Sequence, residues 1–99
     1  MTHYGLRVLV VDSDPAVGRL LTIVLQADRH RVVAVTSGQQ ALDRLRVDRF
    51  DVVVADLGSG LGAEKIGLCT AVHRGWPGVR FVPLTKPFRG AEMRRSVTA

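Results

Sequence analysis

Cysteine is nearly absent from this chain. Cys69 stands alone, so no disulfide can close within the chain and no cysteine cluster can hold a metal. A reducing cytoplasm is the expected setting. Long hydrophobic runs are missing too. None approaches the ~20 residues of a membrane span, and the opening Met1-Thr-His-Tyr4 lacks signal-peptide character. Lysine is scarce, with Lys65 and Lys86 set against twelve arginines. The histidines His3, His30 and His73 lie far apart, without metal-ligand spacing, and are expected at the surface or its boundary. The glycine-rich stretch Gly58-Ser-Gly60 lacks the Gly-Lys-Ser/Thr ending of a nucleotide phosphate loop. No nucleophile–base pair stands out, which argues against an unrelated small α/β enzyme. Neither repeat nor linker interrupts the chain.

What is present fits one small globular domain over residues 1–99, with 46% hydrophobic residues. The net charge of +5 admits nucleic acid or an acidic partner. The arginines, however, are scattered along the sequence, and helix faces and helix ends account for most of them. Nucleic-acid binding by this domain alone is therefore not expected, nor is a membrane contact.

The organising stretch is Phe50-Asp-Val-Val-Val-Ala-Asp56-Leu-Gly-Ser-Gly60. A short apolar run ending in a carboxylate reads as a strand buried on both faces of a parallel sheet. The carboxyl ends of such strands are where open α/β sheets place their ligands. Leu6–Val11 reads as a first strand. Asp14-Pro15 opens a helix with Val17, Leu20, Leu21, Val24 and Leu25 on its apolar stripe, ending near Ala27-Asp28. Arg31–Val35 is a second strand. Thr36-Ser37-Gly38 caps a second helix that buries Ala41, Leu42 and Leu45. Phe50–Ala55 is the third strand. Ile66, Cys69, Val72 and Trp76 mark a third helix running to about Arg74, with Cys69 as a core thiol and Trp76 covering the helix end. Val79–Leu84 is a fourth strand, and Pro83 within it calls for an edge position. Ala91–Val97 reads as a short last helix. Strictly alternating strands and helices mean a parallel sheet with helices on both faces.

The chain resembles the receiver domain of two-component response regulators. The resemblance rests on Val8-Leu-Val-Val-Asp12-Ser-Asp-Pro15, Thr36-Ser-Gly-Gln-Gln-Ala-Leu42, Phe50-Asp-Val-Val-Val-Ala-Asp-Leu57, Trp76-Pro-Gly-Val79, Leu84-Thr85 and Lys86-Pro-Phe88, which follow one another in family order. It implies a flavodoxin-like, doubly wound α/β sheet. It implies that Asp56 is the phosphoryl acceptor, that Asp12 and Asp56 hold Mg²⁺ together with the Gly58 carbonyl, that Thr85 senses the phosphoryl group and that Lys86 pairs with it. A histidine kinase or phosphotransfer protein would be the donor, and a downstream protein the receiver of the signal. Catalysis would go no further than self-catalysed transfer to, and hydrolysis from, Asp56. Phosphoryl transfer is mostly positioning and charge neutralisation, which suits such a cluster.

Three departures from the family pattern stand out. Ser13 replaces the second of two adjacent acids. A hydroxyl is a weak metal ligand, and Asp14 is placed to cap the helix instead. Gly58, Gly60 and Gly62 make the loop after Asp56 costly to order, so it is expected to be mobile without a ligand. Thr85 and Lys86 are adjacent, whereas the family separates them by a helix and most of a strand. About twenty residues are therefore missing, judged from ordinary βα-unit lengths. The turn before Val79 favours reading Val79–Leu84 as the family's fourth strand; the alternative makes Val79–Lys86 its fifth. The sheet should hold four strands in the order 2-1-3-4, with one helix–strand unit missing near the carboxyl terminus. The last strand would be an exposed edge, which favours a homodimer through edge pairing or segment exchange. Adjacent strand residues face opposite ways, so Thr85 and Lys86 could both face Asp56 only after a sharp turn, for which a cis bond before Pro87 would serve. The competing reading is a pseudo-receiver, a protein-interaction module that works without phosphorylation. Ser13 and the missing unit favour it; intact Asp56 and Lys86 favour the phosphoryl acceptor.

Overall fold

The computed structural model describes residues 5–56, 62–84 and 97, with side chains for 5–55, 67–83 and 97. Seven elements alternate: β1 (Arg7–Val11), α1 (Pro15–Ala27), β2 (Arg31–Val35), α2 (Gly38–Val47), β3 (Val52–Asp56), α3 (Gly62–Gly75) and β4 (Arg80–Leu84). The strands form one parallel sheet in the order β2-β1-β3-β4. This is the four-stranded, doubly wound arrangement expected. The expected last helix lies outside the described residues, except for Val97, which is helical and fully buried.

Strand periodicity divides the core in two. Val8, Val10, Val52, Val54 and Val82 face α1, where Leu21 and Leu25 meet them, together with Val97. Leu9, Val11, Val53 and Ala55 face the other way, onto Ala41 and Leu45 of α2 and Leu68 and Val72 of α3. Apart from Arg7 at the start of β1 and Asp56 at the end of β3, the central strands are thus apolar throughout because both faces are covered.

Helix starts follow the sequence cues. The Asp14 side chain accepts the Ala16 N–H at 2.9 Å, with Pro15 as the first helical residue. Ser37 caps α2 by accepting the Gln40 N–H at 3.1 Å. Gln40 reaches back to accept the Thr36 N–H at 2.8 Å, so Ser37 satisfies a donor that helix geometry leaves open while Gln40 ties the residue before the cap to the first turn. The Trp76 N–H closes the end of α3 on the Val72 carbonyl at 2.8 Å, and its partly buried ring packs on the second core cluster, as a cover for the helix end should.

Three expectations fail on packing. Leu20 is 55% exposed. It lies a full 100° step from Leu21, while Gly18 turns inward and brings the helix close to Ala34 of β2, where a Cβ would stand 3.6 Å from that of Ala34. Cys69 is half-buried rather than a core thiol, because Leu68 and Val72 take the i, i+4 stripe. His30 is not a surface residue. It is 3% exposed, and its Nδ1 accepts the Leu6 N–H at 3.2 Å.

The edge position of Pro83 holds. The Arg80 N–H points into the sheet, to the Asp51 carbonyl at 3.0 Å. Successive residues of a parallel strand send their backbone groups to opposite sides, so Phe81 and Pro83 face outward. The N–H that proline lacks is one the sheet would not have used.

Candidate functional site at the carboxyl end of the sheet

The site is set by register. Val11 of β1 lies beside Ala55 of β3, and each is followed by an aspartate. Asp12 and Asp56 therefore leave neighbouring central strands side by side, at the end where the topology reverses direction. Asp56 also sits opposite Leu84 of β4, the last described residue before Thr85 in the sequence. Asp56 is described as the last residue of β3. Its side chain, and the expected positions Gly58, Thr85, Lys86 and Pro87 with the glycine-rich loop, lie outside the described residues.

Asp12 is 2% exposed. Its backbone N–H donates to the Val35 carbonyl of β2 at 3.1 Å, and its Oδ1 accepts the Asp14 N–H at 2.8 Å. A carboxylate this buried is costly unless it is hydrogen-bonded or paired. The Asp14 N–H meets part of that need and orients the group. Asp14 itself is exposed and engaged with Ala16. It acts as the helix cap, as the sequence led us to expect. Ser13 lies on the exposed bend between them. One buried acid, one hydroxyl and one strand-end acid make an all-oxygen donor set, which suits a hard cation such as Mg²⁺, with one carboxylate fewer than an adjacent acid pair would supply. Among the described residues no group of three or more His, Cys, Asp or Glu side chains converges to hold a metal.

Sequence reasoning had singled out Asp12, Ser13 and Asp14, the described side chains of this cluster. The residue it misjudged, His30, stands at the opposite end of β1. The residues 28–30 form a sharp turn with Arg29 at φ 65, and nothing in the spacing of three scattered histidines signals that one of them is buried in it.

No protein-family model matches the chain. It is 40% identical over 79 residues to the DNA-binding response regulator MtrA of Mycolicibacterium smegmatis, a match covering 80% of this chain and 34% of that protein. The chain thus spans about one third of the length of that curated relative. Its fold is similar to that of a response regulator from Thermotoga maritima, with a TM-score of 0.82, 20% identity and 94% of each chain covered. The response regulator TrrA from Thermotoga maritima, solved in complex with Mg²⁺–BeF, gives a TM-score of 0.80 at 19% identity, covering 92% of this chain and 95% of that one. With Asp12 and Asp56 leaving adjacent strands of a 2-1-3-4 sheet, sequence and fold agree that the chain belongs to the response regulators of two-component systems, as a receiver domain.

Proposed function

We propose that the domain accepts a phosphoryl group on Asp56 from a phosphohistidine of a histidine kinase or phosphotransfer protein, and passes the signal to a downstream protein. The register that sets buried Asp12 beside Asp56 carries this reading. In the transfer, an Asp56 carboxylate oxygen bonds to phosphorus as the phosphorus–nitrogen bond to histidine breaks, and the histidine leaves neutral once protonated. Mg²⁺, when bound, screens the carboxylates from the incoming phosphoryl oxygens. Asp12, Asp56 and the Gly58 carbonyl would hold it, with Ser13 as a weak fourth donor. Lys86 pairs with the phosphoryl group and Thr85 follows it, which would shift the surface around β4. The domain works as a switch rather than as a turnover enzyme, in the cytoplasm where such kinases present their phosphohistidine.

Intact mass after incubation with acetyl phosphate tests this. One added phosphoryl group is expected with Mg²⁺ and none with Asp56→Asn. Ser13→Asp restores a second carboxylate, so it should lower the Mg²⁺ concentration for half-maximal phosphorylation by about ten-fold, since ligand charge count tunes such sites. No gain in folded wild-type protein would sink the acceptor reading. It would favour the pseudo-receiver, the interaction module that the exposed Ser13 and the cap-bound Asp14 support.

The reading also includes a homodimer through the β4 edge or by exchange of the carboxyl-terminal segment. Within β4 the outward edge offers one donor, the Phe81 N–H, so edge pairing would centre on Phe81. Light scattering at high micromolar concentration should give twice the monomer mass; a monomer there removes the dimer.

A further inference from the structure

The arginines that are scattered in sequence are gathered in space. In a doubly wound sheet the strands start, and the helices end, at one pole. Arg7, Arg31 and Arg80 are the first residues of β1, β2 and β4. Arg29 and Arg49 lie in the turns leading into β2 and β3, and Arg44, Arg46 and Arg74 in the last turns of α2 and α3. Among the described residues this pole carries eight arginines against Asp28, Asp43, Asp48 and Asp51, a formal +4. Asp12, Asp14 and Asp56 lie at the other end.

Helix dipoles explain only part of this. Three helix ends contribute about −1.5 charges in all, and the arginines that begin strands neutralise no helix end. Four aspartates do not absorb the charge either. Arg44 and Arg46 have close partners, Asp48 at 2.8 Å and Asp43 at 3.0 Å, and Arg7 has Asp48 at 4.0 Å and the Phe50 ring. Arg29, Arg31, Arg49 and Arg74 are exposed, and among the described residues none has a carboxylate within 4.0 Å. Arg7 and Arg31 are register partners on adjacent parallel strands, so two like charges start side by side. Local conflicts of this kind are retained mainly where function needs them.

We propose that this basic pole, remote from the phosphoryl site, binds the phosphate backbone of duplex nucleic acid without reading its sequence. Strand starts spaced at ~4.8 Å spread the arginines over roughly 14 Å between β2 and β4, enough to meet several phosphates at 3.4 Å per step of one strand. Guanidinium forks suit phosphate oxygens. Phe50 is buried and Trp76 and Phe81 half-buried, so among the described residues the pole presents no exposed aromatic platform of the kind single strands require. Among the described residues no helix projects from it to enter a groove, so the contacts proposed are to the backbone.

The test is fluorescence anisotropy of a labelled 20-base-pair DNA duplex with the wild-type chain across a salt series. Roughly micromolar binding is expected at low salt. The slope of log affinity against log salt should be about −3 to −4, at about −0.9 for each phosphate neutralised. The triple variant Arg31→Ser, Arg49→Ser, Arg74→Ser should bind at least about ten-fold more weakly with a flatter slope. Arg19→Ser, also exposed but in the second turn of α1 away from this pole, should bind as wild type. No binding at 50 mM salt overturns the proposal, as does equal loss in the Arg19 variant. If labelled polyglutamate of matched charge binds as tightly as the duplex, the pole takes acidic polypeptides and the nucleic-acid assignment falls. Should the triple variant fail to fold, the wild-type salt slope and the polyglutamate comparison still decide.

Discussion

Leu25→Ala should cost the domain roughly 3–5 kcal/mol of stability. Leu25 is fully buried in the last turns of α1, within the cluster that joins the helix to Val8, Val10, Val52 and Val54. Removing its side chain forfeits the transfer energy and leaves a cavity that two central strands and a helix cannot collapse to fill. Total stability for a domain of this size is about 5–15 kcal/mol, so a large share of the margin goes. At 4–8 °C per kcal/mol for small domains, the melting temperature should fall by more than about 12 °C. The backbone role of Leu25, whose carbonyl accepts from the Asp28 N–H at 3.0 Å, survives the change, so the loss reports packing. Leu20→Ala is the matched control on the same helix. At 55% exposure it should stay within about 0.5 kcal/mol of wild type. Equal losses in the two variants, read by urea unfolding, would mean that α1 is packed on a different face.

The second large effect depends on pH and comes from His30. Its Nδ1 accepts the Leu6 N–H, so the ring must be neutral with its proton on Nε2, which is buried and makes no hydrogen bond. Burial lowers the His30 pKa below its ordinary value, and the nearby Asp28 carboxylate opposes this only in part. With the folded pKa depressed, the unfolded chain binds the extra proton first. Stability is therefore at its plateau above about pH 6.5 and falls as pH drops through the ordinary histidine value towards the folded one. The steepest loss from this one group is about 1.4 kcal/mol per pH unit. Protonated Nδ1 would also face the Leu6 N–H donor to donor and loosen the start of β1, the strand that leads into Asp12. His30→Asn keeps an acceptor near Leu6 and cannot titrate. Urea unfolding at pH 7.5, 6.5 and 5.5 should show a slope in wild type that this variant lacks. An unchanged slope in the variant would place the titrating group elsewhere.

Much of the fold could be read from local signals, because those signals act locally. Asp14-Pro15 and Ser37 cap the helices they seemed to start, and hydrogen bonds two or three residues long do not depend on the rest of the chain. The both-sided burial of Val52 to Ala55 was visible as an unbroken apolar run, and Pro83 marked its own strand as an edge. Element ends shifted by one or two residues, as at Val52 and Arg80, where fraying makes a boundary a matter of degree. Leu20 and Cys69 were misassigned for another reason. Each is apolar and within one step of the true stripe, and only the angle at which its helix meets the sheet decides between the step and the stripe. The carboxylate pair of the site was legible because each acid closes its own strand.

By itself the sequence determined the alternation of elements, the caps, the two aspartates and the substitution of Ser13, since each is a matter of residue type and near neighbours. Three things belonged to the tertiary structure. The register of β1 against β3 brings Asp12 and Asp56 abreast. The closure of the 28–30 turn onto Leu6 buries a histidine that nothing nearby in sequence marks. The parallel run of the four strands, with the three helices returning the opposite way, collects at one pole arginines that lie up to seventy-three positions apart, from Arg7 to Arg80. In all three cases the physical reason is the same. Hydrogen-bonded pairing and burial act between residues distant along the chain, and their outcome depends on which strands become neighbours.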